Sequence, residues 1–329
     1  MIKVLELFGG IGAPRKALIN LGVEHKSIDY VEWNEKAVRT YNAMFDNRYK
    51  PESVVGYSLQ PDILVHGSPC QDFSRAGKQY GGNVEDGTRS SLMFETIKII
   101  ENLGVWKPKV VIWENVKGVL SKRMISAFNH YLSDMEGLGY TNSFEVLDAR
   151  NFGIPQARER IFTISTLGNK QFDFSKLRTV PMRNVKEFLE EDVSDKYLIK
   201  QPSMISKLPG KDVPGTFGGR MLHEIKEYAW TITTKQMRCP NSGVIKTSKG
   251  YRYLTEKECW RLMGFDDEDY YAALKEHPTR QGMMNGTLYH QAGNSIVVQI
   301  LESIFELLLS GSYEKDRNIN KEGQLELFA

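Results

Sequence analysis

The chain has 329 residues, of which 41% are hydrophobic and 26% are charged, and its formal net charge is +2. This composition is typical of a globular protein of about two domains and excludes fibrous, collagen-like and disordered proteins. The small net charge does not indicate a nucleic-acid partner, so any basic surface must be local. The N-terminus carries no signal-peptide pattern, and no run approaches the roughly 18 apolar residues of a membrane span, so we expect a cytoplasmic protein.

Apolar runs alternate with helical patterns through the first half of the chain, and a glycine turn leads into a predicted helix over 14–21. The predicted strands cover 3–7, 27–31, 63–66, 110–113 and 161–165, the last three as buried parallel strands. This alternation predicts the α/β class, with a doubly wound, Rossmann-like sheet.

The alternation fades after residue 166 into a stretch rich in Lys, Pro, Gly and Thr, which favours turns and loops over long helices. An apolar helix predicted over 296–309 returns to pack on the first domain. The predicted division is a large domain over 1–167, a smaller loop-rich domain over 168–285, a returning segment over 286–312 and a charged tail over 313–329.

The glycine turn Phe8 to Gly12 follows the first predicted strand, and Glu32 ends the second strand 20 residues later. Glycine lets a backbone approach a ligand, and an acidic side chain at this distance reaches ribose hydroxyls. Arg15 replaces the third glycine of a GxGxxG motif, which disfavours a dinucleotide. S-adenosylmethionine, an adenosine cofactor without pyrophosphate, fits better, and Trp33 is available to lie against adenine. A purely structural turn is the alternative.

The three cysteines, Cys70, Cys239 and Cys259, are widely spaced and fit neither a disulfide scaffold nor a zinc site. Cys70 follows the predicted strand 63–66, where ligands bind in parallel sheets, so it is a candidate nucleophile, with an inert buried thiol as the alternative. The following residues, 71–89, predict a mobile lid.

Charged side chains accompany two further strands. Glu114 lies at the end of the strand that begins at 110, and Arg158 and Arg160 stand two apart before 161–165. In an extended segment this spacing puts both guanidinium groups on one face.

Together these motifs resemble those of the DNA (cytosine-5) methyltransferases of prokaryotic or phage type. Five motifs occur in the order found in that family and at about the same separations along the chain: FGGIG (8–12), PCQ (69–71), ENV (114–116), QARER (156–160) and QAGNS (291–295). The resemblance implies a Rossmann-like S-adenosylmethionine-dependent methyltransferase fold with a smaller, loop-rich target-recognition domain. It also implies methylation of carbon 5 of cytosine in a short duplex DNA sequence, with no metal.

The chemistry explains these residue types. Carbon 5 of cytosine is a poor nucleophile until a thiolate, here Cys70, adds at carbon 6. An acid at ring N3 and cations near the oxygen then stabilise the adduct, roles that suit Glu114 and the pair Arg158 and Arg160. A stacked base cannot reach both thiol and methyl donor, so it must flip out of the duplex.

The resemblance also assigns a cofactor shell: Phe8, Gly10, Ile11, Gly12, Glu32, Trp33, Pro69, Leu92, Asn294 and Ser295. Many family members carry an adenine-binding aspartate where this chain has residues 52–56, ESVVG. Adenine recognition is therefore expected to use backbone or a neighbouring residue.

Seven basic residues against two acidic ones give residues 235–261 a local net charge of +5, which predicts contacts to DNA phosphates. Residues 231–238 form the candidate base-reading loop, in which Gln236 suits adenine and Arg238 suits guanine. A solvated turn is the alternative. The resemblance implies that the loop with Gln71 and Ser74 approaches the DNA. The candidate DNA-binding residues are therefore Gln71, Ser74, Arg89, Lys235, Gln236, Arg238 and Arg252.

The last residues, QLELF at 324–328, resemble the QLxLF peptides through which bacterial proteins bind the replication sliding clamp. Gln324, Leu325, Leu327 and Phe328 would make that contact, with coverage of the large domain as the alternative. Other functions left open are a tRNA cytosine-5 methyltransferase, a catalytically inactive DNA-binding homologue and, on the glycines alone, a nicotinamide oxidoreductase. One active site per chain indicates a monomer.

Overall fold

The computed structural model describes residues 1–68, 92–209 and 221–314. Its strands are β1 (Ile2–Leu7), β2 (His25–Val31), β3 (Ile63–His66), β4 (Val110–Val116), β5 (Tyr140–Asp148), β6 (Gln156–Ala157), β7 (Glu159–Leu167), β8 (Ala229–Trp230), β9 (Ile245–Thr247) and β10 (Gly250–Arg252). Its α-helices are α1 (Ala13–Asn20), α2 (Glu35–Phe45), α3 (Met93–Asn102), α4 (Ile125–Gly137), α5 (Pro202–Ile205), α6 (Glu256–Arg261), α7 (Asp267–Glu276), α8 (Gly286–Asn294) and α9 (Val298–Ser310).

A six-stranded sheet in the order β2-β1-β3-β4-β7-β5 forms the centre of the molecule. Successive residues of a strand point to opposite faces, so each buried strand contributes side chains to the hydrophobic cores on both faces of the sheet. In β1, Val4 joins the cluster that contains α1 and α9, whereas Leu5 joins the cluster that contains α3 and α4. The sheet is therefore covered on both faces, which confirms the predicted α/β class.

Strands β1 to β4 are parallel, so their carboxyl ends meet at one edge of the sheet. The prediction of a parallel strand at 161–165 is wrong in direction, because β7 is antiparallel to both β4 and β5. Strand β5 was not predicted from the sequence. Only ten residues join β5 to β7, too few for the helical crossover that a parallel pair requires.

The described residues of the segment 168–255, which are 168–209 and 221–255, consist of turns and short elements, as the composition predicts. Ile199, Leu208, Leu222, Val244 and Tyr253 form a small separate cluster there. The next helices, α6 and α7, instead place Trp260 and Tyr270 in the large cluster with α9. The division at residue 285 remains a prediction.

Helix α9 packs against α1. By length and composition alone, the stretch Gly286–Ser310 is apolar enough to cross a membrane, and 61% of its most apolar 18 residues is buried inside the molecule.

Candidate active site

The glycine turn after β1 combines a packed side with an open side. Phe8, Gly10 and Gly12 all have positive φ, at 54°, 56° and 81°. A Cβ on Gly12, the residue that caps α1, would lie 2.6 Å from the ring of Tyr41. A Cβ on Gly10 would meet no atom of the described chain within 4 Å. Glycine is thus required at position 12 by its positive φ and by the close packing of Tyr41. At position 10 the backbone is left open to a ligand.

Glu32 holds this turn from the end of β2. One carboxylate oxygen accepts the Gly10 amide at 3.1 Å and the other accepts the Asn34 amide at 2.8 Å. Burial raises the pKa of Glu32, and these two hydrogen bonds oppose the rise. The next residue, Trp33, is 71% exposed. A carboxylate with remaining lone pairs therefore stands beside an accessible indole.

The segment that lacks the expected aspartate lies beside Glu32. The Glu52 amide donates to the Glu32 carbonyl at 2.9 Å. Val54 is buried in the sheet core and Val55 is 61% exposed. A backbone segment with hydroxyl and apolar side chains therefore takes the place of a carboxylate.

Strands β1, β3 and β4 and the connection between α8 and α9 surround one cavity. The cavity is lined by Glu6, Leu7, Phe8, Gly9, Gly10, Ile11, Ala13, Pro14, Val65, Gly67, Glu114, Asn294, Ser295 and Ile296. Its lining includes five predicted cofactor-binding residues, Phe8, Gly10, Ile11, Asn294 and Ser295, and the predicted catalytic residue Glu114. The fold brings these six residues together, although they come from both ends of the chain.

Glu114 and Arg160 form an ion pair at this cavity. Nε of Arg160 lies 3.2 Å from Oε1 of Glu114, and both side chains are largely buried. Burial raises the pKa of the Glu114 carboxyl, and the positive charges of Arg160 and Arg158 lower it in part. The carboxyl therefore holds a proton at higher pH than a carboxyl in water does.

Arg158 has different partners from Arg160. Its guanidinium donates to the carbonyls of Ile232, Gly293 and Ser295 at 3.0, 3.2 and 2.7 Å. It is 2% exposed. The sequence could not assign separate roles to the two arginines. In the structure Arg160 pairs with Glu114, whereas Arg158 joins two backbone segments.

Glu6 lines the cavity and was missed by the sequence analysis. Its Oε1 accepts the Tyr41 hydroxyl at 2.6 Å, and its buried Oε2 has no hydrogen-bond partner within the described residues. Burial raises its pKa to about 7. The available signal was a carboxylate inside the apolar strand KVLEL, because a charge buried there marks a candidate functional group.

A protein-family model described as C-5 cytosine-specific DNA methylase matches residues 2–310. The chain belongs to the C-5 cytosine-specific DNA methylases. It is 30% identical to the type II methyltransferase M2.ScrFI of Lactococcus lactis subsp. cremoris, over 94% of this chain and 99% of that one. It is 31% identical to the type II methyltransferase M.BsuFI of Bacillus subtilis, over 91% of this chain and 70% of that one.

Solved structures share the fold of this methylase. The Dnmt2 methyltransferase of S. pombe has a TM-score of 0.74 at 20% identity, covering 94% of this chain and 99% of that one. A putative DNA modification methyltransferase from an E. coli prophage has a TM-score of 0.60 at 19% identity, covering 94% of this chain and all of that one. These likenesses confirm the predicted methyltransferase fold.

C-5 DNA methyltransferases use S-adenosylmethionine, and the cavity of this methylase suits that molecule. The open Gly10 backbone lines the cavity, and beside it stand a carboxylate, Glu32, and an exposed indole, Trp33, which are groups of the types that contact adenosine. The unpartnered Glu6 oxygen is a buried acceptor on the same cavity. Within the described residues no group of three or more His, Cys, Asp or Glu could hold a metal ion.

Two predicted DNA-binding residues of the methylase are corrected. Arg252 is buried and forms two 2.8 Å hydrogen bonds with the fully buried carboxylate of Glu258, so it supports the fold. Gln236 is fully buried and its amide donates to Ser242, so it does not face a base in this structure. Lys235 and Arg238 are exposed on the turn around Gln236.

Several predicted residues lie outside the described ranges. They are Pro69, Cys70, Gln71, Ser74 and Arg89, with the predicted lid 71–89, and Gln324, Leu325, Leu327 and Phe328 of the tail. Leu92 is described and half-buried at the start of α3.

Proposed function

We propose that this methylase transfers a methyl group from S-adenosylmethionine to carbon 5 of a cytosine flipped out of a specific short DNA duplex. The observation that carries the proposal is the Glu114–Arg160 ion pair on the cavity that the glycine turn also lines. A carboxyl whose pKa is raised by burial, beside a guanidinium and close to an adenosine-type site, is what addition to a pyrimidine ring requires.

Cys70 is the proposed nucleophile. Its thiolate forms a bond to carbon 6, and the electron pair of the 5,6 double bond then increases the electron density at carbon 5. S-adenosylmethionine, when bound, supplies the electrophilic methyl group that carbon 5 accepts. Loss of the carbon 5 proton and expulsion of the Cys70 thiolate restore the double bond and release 5-methylcytosine.

Glu114 and Arg160 stabilise the adduct in this proposal. Addition at carbon 6 moves negative charge to ring N3 and the exocyclic oxygen. Glu114 offers N3 a proton, which its raised pKa lets it carry. Arg160 adds positive charge on the same side, whereas Arg158 holds the Ile232 and Ser295 segments around the pocket.

The cofactor is proposed to bind along the turn and the α8–α9 connection. Glu32 accepts the ribose hydroxyls, Trp33 covers adenine, and residues 52–56 meet the adenine edge through backbone and Ser53. The residues proposed to hold it are Phe8, Gly10, Ile11, Gly12, Glu32, Trp33, Pro69, Leu92, Asn294 and Ser295. The exposed Lys235 and Arg238, with Gln71, Ser74 and Arg89, are proposed to contact DNA in the bacterial or phage-infected cytoplasm.

Trapping on 5-fluorocytosine tests the proposal. The methylase is mixed with duplexes of random sequence that contain 5-fluorocytosine, with and without S-adenosylmethionine, and run on a denaturing gel. Fluorine cannot leave as a proton does, so we expect a cofactor-dependent covalent band. Cys70→Ser should abolish the band, and the matched control Cys239→Ser should retain it.

The other outcomes separate the alternatives. A band on tRNA but not on duplex DNA would support the RNA methyltransferase. A band that survives Cys70→Ser would contradict the proposed nucleophile. Sequencing the trapped duplexes of the wild type gives the target site.

The tail carries a second proposal, which rests on its resemblance to clamp-binding peptides. We propose that Gln324, Leu325, Leu327 and Phe328 bind the bacterial sliding clamp and bring the methylase to newly replicated DNA. The full chain should retain purified clamp in a pull-down, whereas a chain stopped after Gly323 should not. Equal retention by both chains contradicts the proposal.

A further inference from the structure

An exposed tryptophan belongs to a cluster of rings beside the strand that leads into β7. The Trp230 indole on β8 is 41% exposed. The His223 ring stacks on it with ring centres 4.7 Å apart and an interplanar angle of 5°. Tyr228 packs on His223 at 6.0 Å, and the Arg150 guanidinium lies 4.8 Å from the centre of the Tyr228 ring. This aromatic cluster therefore supports one face of an indole that is open to solvent.

Backbone hydrogen bonds hold the two parallel rings together. The Trp230 amide donates to the Ser242 carbonyl, and the Val244 amide donates to the His223 carbonyl, both at 2.8 Å. Ser242 and Val244 are fully buried. Nε2 of His223 also donates to the Tyr228 carbonyl at 3.0 Å. The indole is thus held in place before any partner binds, which lowers the entropy cost of binding.

Trp230 lies close to the proposed catalytic pair. It pairs in register with Ala157, which stands three residues before Arg160. Paired strands are about 4.8 Å apart and an extended residue spans about 3.3 Å, so the backbones of Trp230 and Arg160 are at most about 15 Å apart. One DNA strand rises about 3.4 Å per nucleotide. The indole therefore stands within about four nucleotides of a cytosine that reaches Arg160.

The surface beside Trp230 carries positive charge. Lys235 and Arg238 are exposed on the turn that follows β8, and the amide of Gln236 on that turn donates to the buried Ser242. The Ser242 carbonyl also accepts the Trp230 amide. The indole and the two cations therefore share one buried support. An aromatic face flanked by cations fits a nucleic acid, whose phosphates attract cations and whose bases stack on rings.

We propose that Trp230 stacks on a base of the duplex that flanks the flipped cytosine. The inference rests on the proposed function and names a residue that contacts the DNA substrate beyond the target base. Flipping takes the cytosine out of the stack, so its neighbours lose a stacking partner. An aromatic side chain can take that partner's place, and such stacking tolerates different bases.

Duplex binding by Trp230→Ala tests this contact. Dissociation constants are measured by mobility shift with S-adenosylhomocysteine, on the duplex recovered in the trapping experiment or, if none is trapped, on the random pool. We expect binding to weaken about tenfold or more, because stacking on an aromatic side chain contributes that much. The slope of log affinity against log salt should not change, because the indole carries no charge. Trp230→Phe should keep most of the affinity.

Trp106→Ala is the matched control. Trp106 is also exposed, at 62%, but it precedes β4 and so lies at the opposite end of that strand from Glu114. Both alanine substitutions remove an exposed indole, so we expect similar, small changes in melting temperature. Only Trp230→Ala should weaken duplex binding.

Abasic duplexes identify the base that Trp230 contacts. Each nucleotide that flanks the trapped cytosine is replaced in turn by an abasic site. One of these replacements should weaken binding by the wild type and have no further effect on Trp230→Ala, because both changes remove the same interaction.

Four results overturn the inference. They are wild-type affinity in Trp230→Ala, an equal loss in Trp106→Ala, losses that multiply at every abasic position, and a change of oligomeric state in Trp230→Ala with unchanged affinity. The last result would assign the indole to contact with a second copy of the chain. Failure of the proposed function is distinguishable, because the wild type would then form no adduct, while the random pool still measures the contribution of Trp230 to binding.

Discussion

Arg160 and Glu114 meet across the antiparallel β4–β7 pair, with Nε of Arg160 3.2 Å from Oε1 of Glu114. Arg160 pairs in register with Val116, two residues after Glu114 on β4. Such an offset brings long side chains of neighbouring strands into contact. The geometry depends on β7 running antiparallel, because this direction puts the start of β7 beside the carboxyl end of β4.

Glu114→Gln tests the proton-holding role of this carboxyl. The amide keeps the size and a hydrogen-bonding group but cannot transfer a proton. We expect kcat to fall about a hundredfold or more, because general acid catalysis contributes at least that much. Binding of S-adenosylhomocysteine, measured by calorimetry, should change little.

Glu159→Gln provides the control for Glu114→Gln. Glu159 is adjacent to Arg160 in sequence, but its side chain is half exposed and pairs with Lys117 on the surface. Its loss should leave kcat within about twofold, since exposed ion pairs contribute little. A comparable loss of kcat in Glu159→Gln would contradict a specific role for Glu114.

Arg158→Ala and Arg160→Ala should separate stability from activity. Arg158→Ala leaves three buried carbonyls without their donor, so we expect a loss of about 3 kcal/mol in unfolding free energy. Arg160→Ala removes charge beside Glu114, and we expect kcat to fall about a hundredfold with a smaller loss of stability. Urea denaturation and kinetics on both variants measure the two effects. Equal stability losses would contradict this division of roles.

Residue types at the strand ends made much of the site predictable from sequence. Glu114 and the Phe8 turn were found because they follow predicted strands, whereas Asn294 was assigned through the resemblance to the cytosine-5 methyltransferase motifs. The partners of Arg158 were not predictable, because Ile232 and Ser295 lie 74 and 137 residues away in sequence. Arg252 was misassigned because local charge counts cannot detect that Glu258 neutralises it in the core.

The exposure of Lys235 and Arg238 leads to a prediction about how duplex DNA binding depends on salt concentration. Lys235 and Arg238 are exposed, and neither forms an ion pair within the described ranges. If each contacts a phosphate, Lys235→Ala and Arg238→Ala should each reduce the slope of log affinity against log salt by about 1. Duplex binding from low to moderate salt measures the slope. Arg178→Ala is the control, because Arg178 is exposed but pairs with Glu306 on α9.

Arg252→Ala should behave differently from the surface variants. It leaves the fully buried Glu258 carboxylate without its bidentate partner, which costs about 3–5 kcal/mol. We therefore expect a large drop in melting temperature, with an unchanged salt slope in the protein that remains folded. A reduced slope with normal stability would restore Arg252 to the DNA surface.

Glu6 should make the stability of the methylase fall as pH rises. Its folded-state pKa is about 7, against 4.5 for an ordinary glutamate. Between these values the folded state keeps a proton that the unfolded state has lost, so unfolding becomes more favourable with increasing pH. A shift of this size corresponds to at most about 3 kcal/mol, fully developed above pH 7.

Glu6→Gln isolates this contribution, because the amide cannot ionise and its oxygen can still accept the Tyr41 hydroxyl. Between pH 5 and about pH 8, we expect the unfolding free energy of the variant to fall less than that of the wild type. Near pH 8 the variant should therefore have the larger unfolding free energy. Glu302→Gln is the control, since burial also raises the pKa of Glu302 but its position on α9 is less buried. Parallel pH profiles for wild type and Glu6→Gln would show that Glu6 titrates normally in the folded state.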